Sequence, residues 1–390
     1  MSRIDELTLD LCPSDVKYEA IGKLIVPSEK MRWDDLDQAD EFRYIDLGSV
    51  GRVTHSITDT ETITKENAPS RAQQVVREGD VLFGTTRPML KRYCVVPADY
   101  DGQVASTGFC VLRVNADRIL ANFLFHLLGT ARFYEYVEAN ERGASYPAIP
   151  DNVVKRFRIP VPPLEIQREI VRVLDKFTQL EAELEAELEA RRTQYEHYRR
   201  ELLNSGDVAS SRMIPLGEIF EMRAGTHIKS AEISDEPTEE KPYPCYGGNG
   251  LRGYVSSYNY DESIIFVGRQ GALCGNVHRA EGKIYATEHA IVVTPKVPVN
   301  MSWAFHKLTE MDLNQYKTKS AQPGLAVGRV KQVEAQYVPI VDQRRHGEVL
   351  DKLDTLVSDI SIGLPAELAA RRKQYEHYRD RLLTFKELTA

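Results

Sequence analysis

Two neighbouring side chains, Arg269 and Gln270, carry the sharpest chemical suggestion in this sequence of 390 residues. They follow the apolar run 264–267 and precede Gly271, so they project from a turn after a buried segment. A guanidinium offers a fork of donors that matches guanine O6 and N7. A carboxamide offers one donor and one acceptor, which match adenine N7 and N6. Tyr246, Asn249, Lys319, Ser320 and Gln322 lie on other Gly- or Pro-marked stretches nearby and are secondary candidates for the same work. Earlier in the chain Thr85, Thr86 and Arg87 take the corresponding place after the run 81–83, with Lys91 and Arg92 close behind. Those cations suit phosphate oxygens, which position a protein on a duplex without specifying a sequence. Arg142, Ser145 and Tyr146, just before Pro147, form a second loop of the same kind. For each of these residues the plainer alternative is an ordinary solvated turn.

Covalent chemistry is not expected. An adenine-modifying centre needs a polar-Pro-Pro-aromatic loop around the flipped base and a Gly-rich turn for its cofactor, and neither motif occurs. Gly247-Gly248-Asn249-Gly250 lacks the Lys-Ser/Thr of a phosphate loop and reads as a tight turn. Asp151 has Lys155 nearby, but the second acid of a nuclease centre is missing, and no helicase motif is present. Cys12, Cys94, Cys110, Cys245 and Cys274 are odd in number and include no CxxC pair, so buried reduced thiols are expected. His197 and His377 have no Cys, His or Asp partners at ligand spacing, and no metal is expected.

The formal net charge of -8 argues against a polyanion partner unless basic groups gather locally. Much of the excess acid sits in short runs (Asp34-Asp35, 181–189, Glu239-Glu240), which leaves Arg87, Lys91, Arg92 and Arg269 free to face one. No apolar run reaches membrane-spanning length, and the first ten residues carry acids where a signal peptide would be basic and then apolar. A cytoplasmic protein is expected.

The elements that must hold these loops announce themselves by repetition. ARRTQYEHYRRELL (190–203) and ARRKQYEHYRDRLL (370–383) are identical at eleven of fourteen positions, at an offset of 180. A second set, offset by 176, pairs Gln167-Arg168 with Gln343-Arg344 and Leu174-Asp175-Lys176 with Leu350-Asp351-Lys352. It also carries Pro147 onto Pro323, Val154-Lys155 onto Val330-Lys331 and Pro163 onto Pro339. The four additional residues of the second copy fall near Gly363-Leu364-Pro365. A weaker match sets 20–24 against 215–219. The order is globular, helical, globular, helical, which divides the chain at 1–158, 159–206, 207–336 and 337–390.

Within the helical blocks apolar residues recur at Ile166, Ile170, Val173, Phe177, Leu180, Leu184, Leu188, Tyr195, Tyr198 and Leu202, the spacing of a coiled-coil seam. No Gly or Pro interrupts 164–203, so a single helix of about 60 Å is predicted at about 1.5 Å per residue. The second copy keeps the stripe through Leu350, Leu353, Val357, Ile360, Leu364, Leu368, Tyr375, Tyr378 and Leu382, with a break expected at Gly363 and Pro365. The four seam tyrosines read as packing residues. Between the helices the runs 81–83, 94–96, 109–112, 264–267 and 290–293 are short, branched and bounded by turn formers, as buried strands are. The fold class expected is α+β: two similar heads with small mixed sheets, held apart by two long antiparallel helices with a pseudo-twofold repeat. Residues 204–211 read as the linker into the second half.

Two heads on a helical spacer make a ruler, and duplex DNA offers half-sites about one turn, roughly 34 to 36 Å, apart. The block IPVPPLEIQREIVRVLDKF (159–177) followed by ARRTQYEHYRRELL, with its degenerate copy ending GLPAELAARRKQYEHYRDRLLTF (363–385), closely resembles the central and distal conserved regions of type I restriction-modification specificity subunits. YPCYGGNGLRGY (243–254), VGRQGA (267–272) and SAQPGL (320–325) look like motifs of that family's target-recognition domains. GDVLFGTTRP (79–88) matches more loosely. The resemblance implies a non-catalytic subunit in which each head reads one half of a split double-stranded DNA site. It further implies helices that dock two adenine methyltransferase subunits, which carry the S-adenosylmethionine, with restriction-translocase subunits joining that core. Gln194, Glu196, His197 and Arg199, repeated as Gln374, Glu376, His377 and Arg379, adjoin the seam and are the candidates for docking. The four-residue unit Leu-Glu-Ala-Glu, present twice in 180–187, is a candidate for setting the spacing. The competing reading is a coiled-coil adaptor that binds protein and no DNA, and a third is a stand-alone restriction enzyme.

Overall fold

The computed structural model describes residues 16–204, 211–271, 273–318, 323–359 and 362–388. The described residues within Met1–Glu185 and Leu368–Ala390 form one compact unit, and those within Ala186–Glu367 form the other. The helices of eight residues or more are α1 (Ala121–Leu128), α2 (Ala131–Asn140), α3 (Leu164–Asn204), α4 (Met301–Glu310), α5 (Ile340–Ser358) and α6 (Leu364–Leu382). Each unit therefore takes part of α3, and α6 begins in the second unit and continues in the first.

The two units share a plan. In the first, a four-stranded antiparallel sheet runs in the order Ile25–Val26, Phe109–Val114, Val81–Gly84, Tyr93–Val95. In the second the order is Phe220–Ala224, Ala290–Pro295, Ile264–Gly268, Val277–Ala280. The central strands carry continuous apolar runs, 81–83, 109–112, 264–267 and 290–293, because both faces are covered there. Val81, Phe83, Cys110 and Leu112 face a core shared with Phe123 and Phe133, while Leu82, Phe109 and Val111 face another built on Ile45 and Val96. Ile265, Val267, Ile291 and Val293 alternate in the same way with Ile264, Phe266, Ala290 and Val292. Successive strand residues point to opposite faces, so two-sided burial turns an alternating pattern into a continuous apolar run.

A two-stranded ribbon closes each unit: Tyr18–Ala20 with Arg158–Pro160, and Arg212–Pro215 with Glu334–Tyr337. Beside it the weak match between 20–24 and 215–219 acquires a reason. A Cβ on Gly22 would stand 3.3 Å from the Lys155 carbonyl, and one on Gly217 would stand 3.0 Å from the Lys331 carbonyl, so both turns need glycine for the same close approach.

α3 contains 41 residues, a length of about 60 Å. The second helical block is interrupted as expected: α5 ends at Ser358 and α6 starts at Leu364, with Pro365 in its first turn. Gly363 is packed so tightly that a Cβ would come within 2.6 Å of the Thr355 carbonyl and 2.8 Å of those of Leu356 and Asp359. In the first unit Phe177 stacks on Tyr378 at 5.5 Å between ring centroids and lies 6.5 Å from Tyr375. Arg372 bonds Glu181 at 2.6 Å and also Glu185. Residue numbers rise on one helix as they fall on the other, so these segments run antiparallel. The seam is less uniform than its spacing suggests. Tyr195 is buried, whereas Leu180, Tyr198 and Tyr378 stand at the surface, 46%, 39% and 36% exposed. Ile360, and residues 205–210 of the expected linker, lie outside the described residues.

Each unit is pinned by the same buried polar network, made partly from the other copy of the repeat. In the first unit His126 Nε2 meets Asp175 at 2.8 Å and Nδ1 meets the Tyr375 hydroxyl at 2.9 Å. In the second, His306 Nε2 meets Asp351 at 3.0 Å and Nδ1 meets the Tyr195 hydroxyl at 3.1 Å. Burial holds both imidazoles below their ordinary range, against the opposing pull of the aspartates. Gln167 and Gln343 repeat the logic. Their amides donate to the Pro162 and Val338 carbonyls, and their oxygens accept from the Leu120 and Asn300 amides. Cys94, Cys110, Cys245 and Cys274 are buried and free, and Cys12 lies outside the described residues. Among the described residues no helix is long and apolar enough to cross a membrane.

Candidate nucleic-acid interface

In the first unit the strand Val81–Gly84 delivers the chain to an exposed loop. Thr85 is buried and its hydroxyl donates to the Gly108 carbonyl at 2.9 Å, so it belongs to the loop's scaffold. Thr86 bridges to Ala148, and the Arg87 amide donates to the Pro147 carbonyl at 2.6 Å. Arg142 and Ala148 exchange backbone hydrogen bonds of 2.9 and 2.8 Å, which closes a small hairpin with Ser145 and Tyr146 at its exposed tip. The two predicted loops therefore meet. The Arg87 guanidinium lies 4.4 Å over the Tyr146 ring, which is 70% exposed, and it bonds no side chain or carbonyl among the described residues. Arg87 and Lys91 both adopt left-handed backbone (φ 50° and 54°) on either side of the turn Pro88–Leu90. Such conformations cost non-glycine residues free energy and gather at binding sites.

Lys91 and Arg92 part company. Lys91 is exposed, with its ammonium 4.9 Å over the Tyr134 ring. Arg92 turns inward and donates to the Leu47 and Val50 carbonyls, the latter at 3.0 Å, which makes it a brace for that loop more than a free phosphate contact.

The second unit reproduces the arrangement. Ile264–Gly268 leads to Arg269 and Gln270, Gln270 bridges to Gly324, and the Gly271 amide donates to the Pro323 carbonyl at 3.0 Å. Pro147 and Pro323, matched by the repeat, thus receive the same hydrogen bond in both units. Arg269 is held on every side. Its amide donates to His289 O at 2.8 Å, its carbonyl accepts from Leu325 N at 2.8 Å, and its Nη1 donates to Glu288 O at 3.2 Å. Gln270 is exposed, with His289 Nδ1 2.8 Å from its Oε1. Glu288 Oε1 in turn lies 2.9 Å from His227 Nδ1 and 3.4 Å from His289 Nε2. Although partial burial opposes it, the hydrogen bond from His227 and the nearby imidazoles hold the Glu288 carboxyl below its ordinary range.

Asn249 is exposed where the chain turns back between Tyr243–Gly247 and Gly250–Val255, with Gly250 at φ +89°. Tyr246 instead packs on Phe266 with ring centroids 4.8 Å apart, and its carbonyl anchors the Thr287 amide. Lys319, Ser320 and Gln322 lie outside the described residues. Among the docking candidates Glu196, His197, Gln374, Glu376 and His377 are exposed, and Gln194 is half-buried. Arg199 and Arg379 turn inward over the rings of Tyr195 and Tyr375 at 5.2 and 5.4 Å.

Two groups of residues escaped the sequence reading. The histidine networks did leave a signal, since Phe125-His126 and Phe305-His306 stand at the repeat's own offset of 180. Glu288 and His289 left none. They reach Arg269 and Gln270 only because Ile264–Gly268 pairs with Ala290–Pro295.

A family model described as type I restriction modification DNA specificity domain matches residues 34–190 and again 211–370. The chain is 44% identical over 333 residues to the type I restriction enzyme EcoprrI specificity subunit of Escherichia coli, covering 82% of this chain and 81% of that protein. It is 30% identical over 317 residues to the EcoR124I/EcoR124II specificity subunit of the same organism, covering 74% and 76%. Among solved structures, one from a study of complex assembly and conformational transition of the type I R-M system matches 95% of this chain and 98% of its own, with TM-score 0.67 and 25% identity. The type I system S subunit of M. genitalium shares the fold with TM-score 0.59 at 18% identity, over 95% and 96% of the two chains.

Proposed function

The chain belongs to the type I restriction-modification DNA specificity family, and from that premise we propose how this member divides the work of recognition. Each unit reads one half of a split double-stranded DNA site through its pair of proline-anchored loops. In the first unit Arg87, Tyr146 and Arg142 face the duplex, with Lys91 on phosphate. In the second, Arg269 and Gln270 approach base edges, with Asn249 beside them. The observation that carries this reading is the duplicated anchoring itself: the loop after each central strand is tied to Pro147 or Pro323 by the same backbone hydrogen bond, with an exposed or half-buried arginine beside the tie. A loop held by backbone bonds on both sides presents its side chains at little further entropic cost, which is what discrimination between bases requires.

The net charge of -8 makes the recruitment of cations to these loops a matter of placement, since phosphate contacts supply most of the affinity. The exposed repeated face, Glu196, His197 and Tyr198 with Glu376, His377 and Tyr378, docks two adenine methyltransferase subunits, one on each copy. S-adenosylmethionine and catalysis reside in those partners, and restriction-translocase subunits join the same assembly. The chain contributes no catalytic group of its own and acts in the cytoplasm.

Methylome sequencing tests the reading. DNA from a host expressing this chain with its neighbouring methyltransferase is compared with DNA from a host that lacks this chain alone. N6-methyladenine at a split motif is expected to vanish with the chain. Persistence of every methylated motif would remove DNA reading and favour the adaptor.

A further inference from the structure

We propose that His289 is a positioning residue for Gln270, fixing which edge of that carboxamide the second unit presents to DNA. The inference rests on the reading that Arg269 and Gln270 face bases. Its geometry is independent of that reading. The Gln270 carbonyl oxygen lies 2.8 Å from His289 Nδ1, and the tautomer that carries its proton on Nδ1 donates to it. The other ring nitrogen faces Glu288 Oε1 at 3.4 Å, and the same oxygen lies 2.9 Å from His227 Nδ1. The backbone of the same two residues holds the neighbouring arginine, through Glu288 O to Arg269 Nη1 at 3.2 Å and His289 O to Arg269 N at 2.8 Å. One dipeptide thus grips both candidate readers.

A carboxamide has a donor end and an acceptor end of nearly equal shape, so half a turn about its last bond exchanges them. An unrestrained glutamine on a surface offers either end and discriminates poorly. With Oε1 occupied by an imidazole N–H, the side chain of Gln270 keeps its oxygen toward the protein and its Nε2 outward. The outward group is then a donor, which suits an acceptor on the major-groove edge: guanine O6 or N7, adenine N7 or thymine O4. It disfavours an amino group such as cytosine N4 in the same place.

The test uses the full chain assembled with its methyltransferase partners. Methylation rates are measured on duplexes in which each base pair of the second half-site is varied in turn. His289→Phe keeps a ring and removes the donor, His289→Asn places an amide N–H where Nδ1 stood, and Gln270→Ala removes the reader. Gln270→Ala is expected to flatten discrimination about tenfold at one base pair, and His289→Phe to flatten the same base pair. The double variant should be no flatter than Gln270→Ala alone, and His289→Asn should retain the preference. A wild-type profile for His289→Phe beside a flattened one for Gln270→Ala would overturn the proposal. So would an even loss across all duplexes in both His289 variants, which marks the histidine as scaffold. A wild-type profile for Gln270→Ala, in an assembly that still needs this chain to methylate, would remove Gln270 as a reader and His289 with it, while leaving the role of the chain as specificity subunit intact.

Discussion

The Arg87 guanidinium over the Tyr146 ring is an ordered cation at an exposed site, and its consequence is measurable. A phosphate or base contact made by such a side chain releases counterions, so Arg87→Ala should weaken DNA association across all sequences and lower the salt slope by about one unit. Titrations of the assembled complex at several salt concentrations check this, and an unchanged slope would remove Arg87 from the interface. Tyr375 makes a different argument. Its hydroxyl meets His126 inside the first unit, where both groups are sheltered from water. Tyr375→Phe should cost about 1 kcal/mol, the usual net worth of one hydrogen bond, read as a lower denaturant midpoint with an unchanged slope. Tyr195→Phe should do the same in the second unit through His306.

Among the elements, α3 carries a register that its sequence makes adjustable. Leu-Glu-Ala-Glu occurs twice in 180–187, and Arg372 reaches an acid from each unit, Glu181 and Glu185. Removing one unit subtracts about 6 Å of helix and leaves a net rotation of about 40°. Deletion of one unit is therefore expected to shorten the unread spacer of the methylated motif by about one or two base pairs, near the helical twist per step, with both half-sites unchanged. Motif calling from methylome data reads the outcome directly, and a spacer of unaltered length would refute it. The interruption between α5 and α6 belongs to the same scale. Gly363 sits against three carbonyls that a Cβ would strike, so the second copy is interrupted there, where the first copy runs on as continuous helix.

In the whole molecule the duplication is expressed as exchange. The first unit is completed by α6 from the second copy of the repeat, and the second by the C-terminal half of α3 from the first copy. Tyr375 thus serves His126 and Tyr195 serves His306. The two units share a sheet order, a ribbon, a glycine approach and a histidine network, and they part in the second sheet, which has five strands in the first unit and four in the second.

Much of this was legible in the amino-acid order alone. The 176 and 180 offsets established two copies, the apolar stripe established the helices, and Gly363 with Pro365 established where the second one stops. Runs such as 264–267 announced strands covered on both faces, and the match of Pro147 to Pro323 marked the loop partners. What the order left open is which surface covers which. A stripe of Leu and Tyr states that one face of a helix is apolar but not what lies against it, so the exchange of helical segments, and the emergence of Leu180 and Tyr198 at the surface, were settled only by packing. The placement of Glu288 and His289 beside Arg269 and Gln270 is of the same kind. His289 lies nineteen positions beyond Gln270, and only the pairing of two strands in a particular register brings an imidazole to a carboxamide.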